Sequence, residues 1–323
     1  MEGLGADYEQ RLRETYTDLD LSTPLSQLAW PFRLLDDPGH PVEVIRDVPY
    51  EEAHGRRGLL DVYRQRGADL GAAPVLVQVH GGAWTIGSKD YQALPLMHHM
   101  AARGWVCLAI NYRLSPRDPW PAHIVDVKRA IAWAREHAHE YGGDPSFLAI
   151  TGGSAGGHLA ALAALTPGDP RWQPGFEDAD THVDAAVPFY GVYDFAGVTG
   201  TPRATAMRDR FLGPRVLVAD PRERLADFEE ASPLLRVGPD APPTMLIHGR
   251  RDSLVEVGQA REMARTLRAT SKREVVYAEL PGAQHAFDTF PSIRSAAVVR
   301  GVERFLRWTY DAAVQAAVRE EQR

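Results

Sequence analysis

Cysteine is almost absent: Cys107 is the single one in 323 residues, so no disulfide can form within the chain. It stands in Val106-Cys107-Leu108-Ala109-Ile110 and reads as a buried strand residue. No apolar run reaches the ~18 residues a membrane-spanning helix needs, so no membrane span is expected. The first ten residues, Met1 to Gln10, have neither a basic start nor an apolar core. No signal peptide is expected there, and the cytoplasm is the expected location. There is no glycine-rich phosphate loop with a lysine, so a nucleotide is not expected, nor any other cofactor. Positive charge is in deficit, with 36 Lys and Arg against 43 Asp and Glu and a formal net charge of −7. That disfavours a nucleic-acid footprint without defining a cationic partner. Repeats, low-complexity tracts and a second domain are lacking too. The sequence leaves a homodimer open.

What is present suits one large globular α/β domain: 44% hydrophobic and 24% charged residues over 323 positions. Strand-like runs cover Val42 to Val48, Leu59 to Arg64, 74–79, 106–111, 147–151, 185–190, 244–248 and 275–280. Helix-like stretches lie near 93–102, 123–139, 155–165, 257–270 and 291–316. Such alternation predicts a mostly parallel eight-stranded sheet with helices on both faces. Ligands on such sheets bind outside the carboxyl ends of the strands.

The densest signal is Thr151-Gly152-Gly153-Ser154-Ala155-Gly156-Gly157-His158. The apolar run Phe147 to Thr151 leads into it, and the helix-forming run His158 to Leu165 follows. A serine between a strand end and a helix start is forced into a strained backbone, normally with φ > 0. Helix and strand then approach so closely that glycine is needed two residues to either side, at Gly152 and Gly156. The hydroxyl is held out beside the N–H groups that open a helix, the arrangement of a nucleophile elbow.

The other parts of such a site follow strands in turn. His80-Gly81-Gly82-Ala83-Trp84 comes after Pro74 to Val79, and its glycines leave bare N–H groups. Gly81 and Gly82, with Ala155, are the expected oxyanion donors. Asp252 lies in the loop after Thr244 to His248, and His285 in the loop after Val275 to Leu280. Oxyanion glycines, Ser154, Asp252 and His285 thus appear in the chain order of an α/β-hydrolase.

His80 to Trp84, Asn111-Tyr112-Arg113-Leu114-Ser115-Pro116, Gly153 to Gly157, Phe189-Tyr190-Gly191 and Gln284-His285-Ala286-Phe287 together resemble the bacterial hormone-sensitive-lipase-like carboxylesterases and lipases. The likeness spans roughly residues 40 to 310, with one departure: Gly153 stands where that family usually has Asp. It implies the α/β-hydrolase fold with a small helical cap, a small-molecule ester as substrate, and nucleophilic attack by Ser154 through His285 and Asp252. Residues 8–36 carry a large apolar load, including Leu25, Trp30 and Phe32. They read as one cap segment (near 1–40) of a single domain, with the long interruption at 195–232 as the other. Trp84, Met207 and Phe211 are the expected substrate-pocket residues, and an apolar pocket of limited volume implies short to medium acyl chains.

Alternatives remain beside this reading. An amide or aryl formamide hydrolase would use the same three residues. A non-catalytic ligand-binding member of the fold would lack one of them, and all three are present. Asp288 and Glu256 are rival acids and His248 a rival base, each near a motif. Asp126 and His158 read as structural, and His98-His99 with His80 matches no zinc spacing, so no metal is expected.

Overall fold

The computed structural model describes residues 41–68 and 71–321, so the expected cap segment at 1–40 lies outside the described residues. Eight strands are formed: β1 (Val42–Pro49), β2 (Leu59–Gln65), β3 (Ala73–Val79), β4 (Val106–Ile110), β5 (Gly143–Gly153), β6 (Ala185–Phe189), β7 (Thr244–Gly249) and β8 (Val275–Leu280). They make one sheet in the order β1-β2-β4-β3-β5-β6-β7-β8. β1–β2 and β2–β4 pair antiparallel, and every other pair is parallel. β3 and β4 are buried at every residue, as strands covered on both faces must be. β1 and β8, at the two edges, are only partly buried.

Alternate residues of each strand serve opposite layers. On one face Val75, Val77 and Val79 pack with Ile124, Val127 and Ile131 of α2 (Ala122–His137) and with Leu159 and Leu162 of α3 (Ala155–Leu165). On the other, Leu76, Cys107 and Ala149 pack with Met97 and Met100 of α1 (Leu94–Ala102) and Val302 and Leu306 of the C-terminal helix (Ile293–Glu321). The stretch between β6 and β7 holds α4 (Pro202–Met207), a π-helix (Arg208–Leu217) and α5 (Leu225–Glu230), and α6 (Val257–Thr270) follows β7.

The chain runs from β3 to β4 on one side of the sheet and returns as β5 on the other. That reversal opens a crevice at the carboxyl ends of β3 and β5. His80 to Gly82 and Ser154 leave the sheet there, and Asp252 and His285 follow β7 and β8 at the same edge.

Lys128 of α2 is fully buried, and its ammonium donates to the carbonyl of Thr166 just past α3, with Gln173 Oε1 at 3.4 Å. Burial pulls its pKa down to about 8, partly opposed by the charge of Asp169. The fold therefore favours the neutral amine, so this group's contribution to stability rises with pH between about 8 and the ordinary 10.5. The stability of the wild type relative to Lys128→Met should increase between about pH 7.5 and about pH 9.5 in denaturant titrations. A pH-independent difference would contradict the desolvation of Lys128.

Candidate active site

Ser154 sits between the end of β5 and the start of α3 with φ 58° and ψ −118°. Such a conformation costs ~1–3 kcal/mol and persists only where the surroundings fix it. Here the Ser154 N–H donates to Phe189 O at 3.0 Å, and the Ser154 carbonyl accepts from His158 N at 2.9 Å. A Cβ on Gly156 would lie 2.0 Å from Val79 O, and one on Gly152 2.5 Å from Gly156 O. Glycine at both places is therefore a condition of the close passage of β3, β5 and α3.

From Ser154 a continuous hydrogen-bonded path runs inward. Ser154 Oγ is 2.8 Å from His285 Nε2, and His285 Nδ1 is 2.7 Å from Asp252 Oδ2. Asp252 Oδ1 also accepts the N–H groups of Leu254 and Val255 at 2.9 and 2.8 Å. A second imidazole approaches the carboxylate: His248 Nε2 lies 3.3 Å from Asp252 Oδ2 and 3.1 Å from Val255 O. Both neighbours are acceptors, so Nε2 of His248 carries the proton. Burial alone would raise the Asp252 pKa, but the bonds from His248, His285 and Val255 outweigh it and hold the carboxyl well below the usual range. Asp252 is thus an anion with its lone pairs satisfied, and it fixes Nδ1 of His285 as the protonated nitrogen. Nε2 is left to accept from the Ser154 hydroxyl.

The loop after β3 is shaped by His80. This residue is buried, stacked on Tyr112 with centroids 4.2 Å apart, and pushed down to about 4 by desolvation. Its neutral ring contacts Gly81 O through Nδ1 at 2.7 Å, which makes Nδ1 the donor. In a trans peptide the C=O and N–H point opposite ways, so a Gly81 carbonyl held by His80 turns the Gly82 N–H away from that ring. Gly81 departs from the expectation, because its own N–H donates to Gln92 Oε1 at 2.6 Å. The N–H groups of Gly82 and Ala83 take no acceptor among the described residues. Ala155, first residue of α3, has no intrahelical acceptor for its N–H either.

Of the expected pocket residues, Trp84 is placed differently. The chain passes through φ 52° at Ala83 and 59° at Trp84, and the indole is buried in the core. Its Nε1 donates to His158 Nδ1 at 3.2 Å, and Phe195 meets it edge-on with centroids 5.0 Å apart. His158 Nε2 in turn contacts Ala231 O at 2.8 Å, and burial pushes this histidine down to about 3. A neutral imidazole therefore ties the loop after β3, the helix α3 and the segment before β7 together. Met207 and Phe211 are half-buried and pack against the same core. A separate cavity of about 630 Å³ is lined by residues of this stretch, among them Arg208, Asp209, Val218, Asp220 and Arg222. It shares no lining residue with the Ser154 group.

Neither rival acid bonds to His285, whose partners are Asp252 and Ser154. Asp288 accepts from the Tyr190 hydroxyl, Glu256 accepts from Thr201 Oγ1 at 2.8 Å, and Asp126 takes Arg113 in a bidentate pair. His99 lies 2.6 Å from Glu303, and His98 meets Tyr63 edge-on, both apart from His80. Among the described residues no three His, Cys, Asp or Glu side chains converge as a metal site would need. Sequence reasoning missed Gln92, the bond of His248 to Asp252 and the Tyr190–Asp288 pair. Of these residues only Gln92 had drawn no notice: Tyr190 stood in Phe189-Tyr190-Gly191, and Asp288 and His248 had been read as a rival acid and base.

Comparison with known proteins identifies the family. The BD-FAE family model matches residues 60–267. LipM of Mycobacterium tuberculosis, named a probable carboxylic ester hydrolase, is 56% identical over 268 residues, covering 82% of this chain and 61% of LipM. The esterase LipQ of the same organism is 51% identical over 269 residues, covering 82% of this chain and 62% of LipQ. The chain thus spans about three fifths of the length of these curated relatives. Among solved structures, esterase B from Lactobacillus rhamnosis superposes with a TM-score of 0.73 at 19% identity, over 96% of this chain and 98% of that one. That likeness carries the α/β-hydrolase fold. No helix among the described residues is long and apolar enough to cross a membrane.

Trp84→Phe should remove part of the buried ring and leave His158 Nδ1 without its donor, the lost bond alone costing about 1–3 kcal/mol. A melting temperature lower by several degrees in calorimetry is the expected result. An unchanged melting temperature would contradict the structural role of the indole.

Proposed function

The chain belongs to the BD-FAE family, and from that premise we propose that it hydrolyses carboxylic esters of short to medium acyl chain through an acyl-enzyme on Ser154. The observation that carries the reading is the unbroken path Ser154 Oγ–His285–Asp252, with steps of 2.8 and 2.7 Å, on a serine at φ 58°. The names of LipM and LipQ favour an ester over an amide as substrate.

His285 Nε2 takes the hydroxyl proton as Ser154 Oγ attacks the ester carbonyl. Asp252 holds the tautomer and stabilises the imidazolium that forms. The N–H groups of Gly82, Ala83 and Ala155 are the donors offered to the developing oxyanion, each worth about 3 kcal/mol. Gly81 is left out because Gln92 occupies its N–H. The alcohol leaves with the proton from His285, and a water activated by the same imidazole then releases the acid. No proton passes through His248, whose protonated nitrogen faces only acceptors. Its part is to keep Asp252 ionised and fixed.

The stretch at 195–232 acts as a cap segment in this reading, with Met207 and Phe211 limiting the acyl chain. It is anchored at Val216 O, which accepts from Ser115 Oγ and Trp120 N at 3.0 and 2.9 Å. Asp194 fixes its start by accepting the N–H groups of Gly197, Val198 and Thr199.

With p-nitrophenyl esters of graded length, Ser154→Ala should lower kcat by about 10⁶. Asp252→Asn should lower it by about 10⁴, because the imidazole loses its tautomer control. Retention of most activity in either variant would contradict the mechanism. Across the same series kcat/KM should rise by ~0.8 kcal/mol per buried CH₂, peak at short to medium acyl chains and then fall. Phe211→Ala should move the peak to longer chains; a peak that stays in place would remove Phe211 from the acyl site.

A further inference from the structure

We propose that Tyr190 and Asp288 form one positioning pair that sets the distance between the Ser154 hydroxyl and the His285 imidazole. The assignment rests on the hydrolase reading above and extends it to two residues outside the proton path.

Tyr190 follows β6 directly and has φ 36°, an uncommon backbone for a bulky aromatic residue. Its surroundings hold it there from two sides. The backbone N–H donates to Ile247 O of β7 at 2.7 Å, and the phenol donates to the Asp288 carboxylate. Fixed at both ends, the ring touches both halves of the catalytic pair. On one side it lies against His285, with centroids 4.7 Å apart and planes inclined by 57°. On the other it lies against Gly153, the residue before the nucleophile. A Cβ there would stand 2.8 Å from the phenol oxygen and 3.1 Å from two ring carbons. Gly153 is therefore a glycine because the phenol occupies its side-chain space.

The two partners of Tyr190 come from the loop that carries the base. Asp288 is three residues beyond His285, and Phe287 between them meets the Tyr190 ring edge-on at 5.6 Å. The residue before Tyr190, Phe189, accepts the Ser154 N–H at 3.0 Å. The end of β6 thus holds the nucleophile by a backbone bond and the base loop by a ring and a phenol. Burial raises the Asp288 carboxyl, and burial with the Asp288 charge raises Tyr190, so the phenol keeps its proton and donates. The phenol donates neither to Ser154 nor to His285. Its effect passes through placement alone.

A misplacement of about 1 Å at reacting atoms can cost ~10² in rate. Tyr190→Phe, which keeps the ring and frees it from Asp288, should lower kcat by roughly tenfold to a hundredfold, with KM changed by less than about twofold. Asp288→Asn retains an acceptor for the phenol and should lose less. The double variant Tyr190→Phe/Asp288→Asn should lose no more than Tyr190→Phe alone, as expected of two groups acting as a unit. Gly153→Ala should be severely impaired, and adding Tyr190→Phe should restore part of its kcat by removing the atom the new methyl meets first. Wild-type kcat in Tyr190→Phe, a loss confined to KM, or single losses that multiply in the double variant would each overturn the pair. The two failures are distinguishable. A wild type that hydrolyses no ester removes the reading and the inference with it; an active wild type with an unaffected Tyr190→Phe removes the inference alone.

Discussion

The carbonyl oxygen of Val79 lies 2.0 Å from the point where a side chain on Gly156 would begin. That close passage of the β3 end against the first turn of α3 is the constraint on which the site depends. It forces glycine on both sides of Ser154 and drives the serine to φ 58°. It also brings the loop after β3 beside the opening N–H groups of a helix. A one-methyl enlargement at Gly156 would push apart the end of β3 and the first turn of α3. The serine and its donors are thus parts of one packing solution, and the sheet reversal between β4 and β5 supplies the open edge on which it can form.

Around this edge the protein uses histidines mainly as neutral connectors. His80 and His158 are buried and pushed down to about 4 and about 3, and each has one ring nitrogen against a backbone carbonyl. His80 sets the peptide of the loop after β3, and His158 links that loop, through Trp84, to the segment before β7. Asp252 is the contrasting element, an anion kept ionised in a buried place because two imidazoles and two backbone N–H groups converge on it. Neutral imidazoles link the loops here, while Asp252 keeps its charge beside His285.

Much of the fold and of the Ser154 group was legible because each signal is local. The glycines at 152 and 156, the apolar runs ahead of residues 80, 154, 252 and 285, and the chain order need only neighbours a few positions away. What escaped depends on contacts across the chain. Gln92 reaches Gly81 from eleven residues on and takes its N–H. Tyr190 finds Asp288 from 98 residues away, which no spacing rule encodes. Trp84 was legible as a neighbour of the glycines but not as a core residue, because the turn through positive φ at Ala83 and Trp84 reverses where the indole goes. The stretch from 195 to 232 reads as irregular, since Pro214 and several glycines interrupt its periodicity. Side chains such as Asp194 and Ser232, by bonding its backbone N–H groups, order it instead.

The central claim is that Ser154 is a nucleophile activated by His285. Treating the protein with a fluorophosphonate and mapping the adduct by mass spectrometry tests it most directly. One phosphonyl group per chain on Ser154, formed in the wild type and abolished by His285→Ala in a folded protein, is the predicted result. An adduct on another residue, no adduct at all, or labelling of Ser154 at an unchanged rate without His285 would contradict it.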